Sequence, residues 1–407
     1  MSYTYTDEIK FANTPNFDAF GRLRVSNPFT LFDSSHRFAD NGLWSTSTAT
    51  GSTATFNLTQ GLVDLNVTAA SGSQVIRETT KVFAYQPGKS LLNLNTFVMS
   101  PAKTGLRQSV GYYGAENGLY IQLDNSTLSF VERSLVTGVV TESVVNQSTW
   151  NVDTMNGSGP SGIVLDITKA QILFMDIEWL GLGTVRIGFV INGNFYVCHK
   201  FHHANIIAST YITTASLPLR YEITNTSATS GASTLKQICS SVISEGGYEL
   251  NGLQQAIGIP INSPRTLGTS GTFYPVISLR LKSTRLDAII ILTALSIMPI
   301  SAANYNWQVV AAGTTTGGSW VSAGTNSSAE YNITGATFAG GRILTSGFFK
   351  STTQASNQVD ILKESLFKFQ LERNGLTSTP FEITLIIASD SANDTVVAAL
   401  DWEEISR

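Results

Sequence analysis

Three places in this 407-residue chain gather residue types that could do chemistry. Asp176 and Glu178 stand two apart in the run Ile172 to Leu180. In an extended strand both carboxylates leave the same face, roughly 6.5–7 Å apart at the backbone. Paired carboxylates are the equipment of retaining glycoside hydrolysis, which sets the carboxyls about 5–5.5 Å apart. The string Met175-Asp-Ile-Glu-Trp179 carries part of that pattern, but lacks a further downstream Glu on the same face, and Trp179 leads into a tight turn. Two polar residues on the wet face of a hairpin is the simpler reading.

His199, His202 and His203 adjoin Cys198. A tetrahedral metal site needs three or four converging ligands. Along a strand His199 and His203 share one face, Cys198 and His202 take the other, and His36 is distant in sequence. Packed or hydrogen-bonded histidines are expected there, and no metal. Gly88-Lys89-Ser90 ends like a phosphate-binding loop, but Phe83 stands where the first glycine belongs and no helix follows. No nucleotide or other cofactor is expected. Trp44, Trp150, Trp179, Trp307, Trp320 and Trp402 could offer sugar-stacking platforms, yet most sit in or near strand patterns, where core packing is the ordinary use.

The elements that must position these residues read as strands throughout. Alternating segments include Ser52 to Leu58, Leu62 to Thr68, Leu91 to Met99 and Gly118 to Leu123. The runs 172–180, 184–191 and 195–203 predict a three-stranded meander, turned by Gly181-Leu-Gly183 and by Asn192-Gly193, the strongest short hairpin signal. Around Glu245 to Gly271 the periodicity fades and Pro260 and Pro264 intervene, so a domain boundary is placed near 255. A second strand series follows, with one short helix expected over Gln358 to Glu364. The reading is an all-β chain: an extended N-terminal arm (1–35), a first antiparallel β-sandwich (36–254), and a second, jelly-roll-like sandwich (255–407).

Composition narrows the function. Charged residues make up 13% of the chain, about half the usual ~25%, while hydrophobic residues reach 42%. A disordered chain has the opposite balance. The net charge of -4 argues against nucleic-acid binding, which favours a basic surplus. The most apolar stretch, Ala288 to Ile300, is shorter than a membrane span needs. No secretory signal is read in the first residues, so synthesis in a cytosol and two free, buried thiols at Cys198 and Cys239 are expected. Charge is missing altogether from residues 288 to 329, which points to buried strands and to a part of the stretch that faces a partner chain.

Three passages together resemble a family of tailed-bacteriophage virion structural proteins. They are Phe17-Asp-Ala-Phe-Gly-Arg-Leu-Arg-Val-Ser-Asn-Pro-Phe-Thr-Leu-Phe-Asp33; Ile177 to Phe189 with Phe201-His-His-Ala-Asn205 and Leu217-Pro-Leu-Arg-Tyr-Glu-Ile-Thr-Asn225, closing with Ile238 to Gly247; and Gly317-Gly-Ser-Trp-Val-Ser322 with Ser346-Gly-Phe-Phe349. The resemblance implies a non-enzymatic particle component, in head, tail or fibre, made and assembled in the host cytoplasm. Its partners would be copies of itself (a trimer among the options) and other virion proteins, with no nucleic acid and no membrane. It carries over no catalytic residue. Within the arm, Phe17, Phe20, Arg22 and Arg24 are the candidate attachment residues. The alternative is a virion-surface module binding host glycans, and a weaker one a depolymerase using Asp176 and Glu178.

Overall fold

A computed structural model describes residues 25, 27–249, 251–352, 359–360 and 369–406. The fold is all-β and antiparallel, in two sandwiches. In the first, an eight-stranded sheet runs in the order Asn194–Phe201, Val185–Ile191, Gln171–Ile177, Leu91–Val98, Ser233–Ser244, Leu62–Val67, Thr53–Asn57. Phe29–Ser35 also pairs with Ser233–Ser244, so the end of the segment read as an arm is a strand of this sandwich. The facing seven-stranded sheet runs Thr141–Asn146, Thr127–Ser134, Gly118–Asp124, Leu106–Tyr113, Leu219–Asn225, Gln74–Thr79, Trp44–Ala49.

Period-2 alternation makes these strands. Leu173, Met175 and Ile177 of one sheet and Leu219, Tyr221 and Ile223 of the other are wholly buried in one core. Each such side chain contributes about 1.5–3 kcal/mol on leaving water. Ser233–Ser244 is the longest strand of this sandwich and serves three neighbours. Residues 233–237 pair with Leu62–Val67, residues 239–244 with Phe29–Ser35, and Leu91–Val98 lies along its other side. A register shift between Gln237 and Ser240 marks the change of partner.

The second sandwich stacks a five-stranded sheet built on Asp394–Ser406 and Ile289–Pro299 against a six-stranded one. The latter runs Val321–Ser322, Ala329–Asn332, Tyr274–Leu281, Glu382–Ser389, Asn304–Thr316, Thr337–Lys350. The expected helix is not there in its first part: residues 359 and 360 pair as a strand with Ile297 and Ser296. The remainder of that segment lies outside the described residues, as do Phe17, Phe20, Arg22 and Arg24.

The two long strands of the charge-free stretch 288–329 are buried inside the molecule up to about residue 311, while most of 312–326 is exposed. Ile289–Pro299 and Asn304–Thr316 are both interior strands, each flanked on two sides. Ile289 and Ile291, on the side of their strand away from the second core, pack against Val82 and Ala84 of the first sandwich. The chain's own other half covers this face.

The two halves are joined by a buried ion cluster. Arg373 donates to Glu78 at 2.7 Å and to Asp287 at 2.9 Å, and both Arg373 and Glu78 side chains are under 5% exposed. Its guanidinium also donates to the Thr79 carbonyl, and its backbone N–H to that of Thr80. Removing one partner of a buried pair leaves the other charge without its counter-ion, at a cost of about 3–5 kcal/mol. Arg373→Met is therefore expected to lower unfolding free energy by about 3 kcal/mol and to speed proteolysis between residues 244 and 253. Glu78→Gln added to it should recover part of the loss. Denaturant titration of the single and double variants checks this; equal losses in both would refute it.

Candidate functional site

The sequence-predicted carboxylates and the Gly88-Lys89-Ser90 segment meet at the end of strand Gln171–Ile177. Here the turn of residues 86–89, closed by the Lys89 N–H on the Gln86 carbonyl at 3.1 Å, leads directly into strand Leu91–Val98. Gly88 takes φ +81°, the left-handed conformation that favours glycine. Strand pairing sets Leu91 opposite Ile177, which brings Ser90 to Asp176. Asp176 accepts from the Ser90 hydroxyl on one oxygen and from the Arg186 guanidinium on the other. Both oxygens of this carboxylate are thereby engaged. Glu178, exposed just beyond the strand, accepts the Thr184 N–H at 3.2 Å.

The turn after Glu178 depends on its glycines. Trp179 carbonyl receives the N–H groups of Leu182 and Gly183 at 2.9 and 2.6 Å. A Cβ on Gly183 would lie 2.2 Å from the Glu178 carbonyl oxygen, and Gly181 stands at φ +81°. The histidines hold this turn from behind. His203 bonds the Gly183 carbonyl at 2.6 Å and Glu132 at 2.8 Å, and its ring stacks on Tyr211 with centroids 4.0 Å apart. His202 Nδ1 is 3.2 Å from the Thr184 hydroxyl. His199 faces away, accepting the Asn151 N–H at 3.2 Å. Each of these three histidines thus has its own partners. Among the described residues no group of three His, Cys, Asp or Glu could hold a metal ion. Cys198 is buried, Cys239 half-buried, and both are free thiols.

Two hollows meet here. One, of about 460 Å³, is lined by Tyr85, Lys89, Ser90, Asp176, Glu178 and Arg186 among others. The other, of about 660 Å³, shares Tyr85 and Lys89 and adds Trp179, Gln86, Glu249 and Asn251. Tyr85 and Trp179 meet edge to face, 6.3 Å between centroids. Gln86 clamps the far rim, donating to the Glu249 carbonyl at 2.5 Å and accepting its N–H at 3.1 Å. Volumes of this order are those of ligand clefts, and the lining offers donors, acceptors and aromatic rings together. Four other tryptophans, Trp44, Trp150, Trp307 and Trp402, are buried in the cores. Trp320 is half-buried, with the Arg280 guanidinium 3.9 Å from its ring centre.

Sequence reasoning named Asp176, Glu178 and Trp179 but not the residues that complete the groove: Tyr85, Arg186, Glu249 and Asn251. They come from three separate segments of the chain, Tyr85, Arg186 and the pair Glu249 and Asn251, and no local spacing ties these segments to one another. Among the described residues no helix is long and apolar enough to cross a membrane.

The histidines should titrate apart. Burial lowers His203, but the Glu132 and Gly183 bonds outweigh it and hold its proton above the ordinary value of 6.5. Burial, then the charge of His202, pushes His199 down to about 4. His203 therefore stabilises the fold fully below pH 6.5, and this is lost as pH rises through its raised value. His199 acts in the opposite sense: its contribution is present above 6.5 and lost as pH falls towards about 4. Imidazole NMR should show His199 neutral where His203 is charged, and Glu132→Gln should bring His203 down. Coincident titration of both near 6.5 would contradict the assignment.

No protein-family model matches the chain, and no curated protein matches it either. Among solved structures it is similar to the carbohydrate recognition domain of Emp47p, with 13% identity over 51% of this chain and 90% of that one and a TM-score of 0.32. It is also similar to a mixed-linkage glucan GH16 protein of Bacteroides ovatus, with 10% identity over 52% and 99% and a TM-score of 0.35. The carbohydrate-binding module CBM66 of Bacillus subtilis gives 10% identity over 49% and 94% and a TM-score of 0.29. Likeness at this level carries over neither ligand nor activity.

Proposed function

We propose that this chain is a structural component of a tailed-phage virion, made and assembled in the host cytoplasm, that packs against copies of itself. The resemblance in the three sequence passages supports the particle. The observation that carries self-packing is the free edge of the second sandwich. Strand Thr337–Lys350 pairs with Asn304–Thr316 on one side, and among the described residues no strand pairs with its other side. Proteins usually blunt such edges with charge, proline or bulges. Here Ile343 to Phe349 contains no charged residue and no proline between Arg342 and Lys350, a single bulge falls at Leu344, and Ile343 and Phe348 stand at 55% and 79% exposure. A second copy adding its own edge would satisfy the unpaired backbone and cover both side chains, the self-complementary contact from which closed assemblies are built. Attachment to other virion proteins falls to the arm around Phe17, Phe20, Arg22 and Arg24.

In this reading the chain is not an enzyme, and Asp176 serves structure, since Ser90 and Arg186 occupy its oxygens. A second reading, a particle-surface module that binds host glycans, has the groove at Tyr85 in its favour.

Phe348→Glu is expected to convert an oligomer to a monomer in light scattering while leaving thermal unfolding of the sandwiches within a few degrees. Deleting residues 2–24 should abolish incorporation into particles without unfolding either sandwich. Wild-type protein that stays monomeric at every concentration would overturn self-packing, and normal incorporation of the truncated chain would overturn the arm's role.

A further inference from the structure

The double hollow around Tyr85 and Lys89 has the composition of a sugar site, and its charges select among sugars. Its two parts hold two cations, Lys89 and Arg186, and three carboxylates, Asp176, Glu178 and Glu249. Arg186, itself half exposed, forms an ion pair with Asp176 that offsets one charge of each sign. Lys89 then stands at the junction, 3.1 Å from the Gln86 side-chain oxygen, with one exposed carboxylate in each hollow, Glu178 in the first and Glu249 in the second. A uronic or sialic acid would meet a like charge in either part. A neutral ring with adjacent hydroxyls would not: each hydroxyl both donates and accepts, so a carboxylate and an ammonium beside it are both satisfied.

Aromatic surface supplies the rest. Tyr85 forms a wall shared by both hollows, and Trp179 lines the second with its indole N–H buried and without a protein hydrogen-bond partner. Buried indole N–H groups usually find an acceptor. The histidines give the site its rigidity, because His203 and His202 fix the turn that carries Glu178 and Trp179.

We infer that this groove binds a short neutral oligosaccharide that spans both hollows across Tyr85, with Lys89 and Glu178 as its central polar contacts. This rests on the glycan-binding reading and names its site and ligand class. Lys89 and Glu178 make only peripheral bonds in the fold, so Lys89→Ala and Glu178→Gln should leave it intact, as circular dichroism and melting would record.

The test uses saturation-transfer NMR and intrinsic fluorescence on the full chain. The probes are purified gluco-, galacto-, manno- and rhamno-configured hexasaccharides, with an oligogalacturonate as the acidic comparison. At least one neutral series should bind, weakened tenfold or more by each groove variant and unchanged by Trp320→Ala, which alters the partly exposed tryptophan of the other sandwich. Binding insensitive to both groove variants would overturn the site and leave the glycan reading standing. Preference for the oligogalacturonate would overturn the ligand class. No transfer from any probe, neutral or acidic, would overturn both site and reading.

Discussion

Arg373 reaches out of the second sandwich into a place where Glu78, Asp287 and the carbonyl of Thr79 converge on its guanidinium. A guanidinium buried this deeply is tolerated only when its donors are met, and its planar fork is suited to meeting several acceptors at fixed angles. Glu78 ends a strand of the first sandwich's seven-stranded sheet, and Asp287 leads into strand Ile289–Pro299 of the second. One side chain therefore registers one domain's sheet against the other's. Arg220 adds a looser contact to Glu78 at 3.6 Å and a closer one to Glu222 at 2.9 Å. The groove depends on this docking too, because Glu249, Asn251 and Ile405 border its second hollow from the linker and the second sandwich. Loosening the junction would open the groove without touching any residue in its first half.

How much of this was legible in the chain follows from what kind of regularity each part has. The meander is local: Asn192 at φ +51° and Gly193 at φ +79° form the turn that Asn-Gly announces, and the flanking strands fall where alternation puts them. Leu106–Tyr113 carries no clear alternation, because almost all of it is buried and Gln108 and Ser109 interrupt the apolar pattern. Its outer face is covered by stacked Tyr113 and Tyr120, 4.3 Å between centroids, with Arg133 and Arg220 over the rings. Alternation cannot mark a strand that is covered on both sides. The uncharged stretch reads as a surface for a partner chain, but a sequence cannot say whether a covering surface belongs to another chain or, as for Ile289 and Ile291, to the same one, and most of 312–326 is exposed.

The groove was half legible for a related reason. Asp176 and Glu178 are visible as a pair because they are neighbours, and Gly88-Lys89-Ser90 is visible as a turn. That the two segments touch is a matter of strand order, since Leu91–Val98 pairs directly with Gln171–Ile177. The contact changes the chemistry of both. Asp176 loses the open oxygens a nucleophile or acid would need, and Lys89 gains a setting of hydroxyls, aromatics and carboxylates quite unlike a phosphate cradle.

The scarcity of charge has an outcome for proteolysis. No lysine or arginine occurs between Arg285 and Arg342, a span that takes in both central strands of the second sandwich, nor between Arg37 and Arg77. Digestive enzymes of the trypsin type have no bond to cut within either span, folded or unfolded. Trypsin digestion would therefore leave these spans as unusually long fragments.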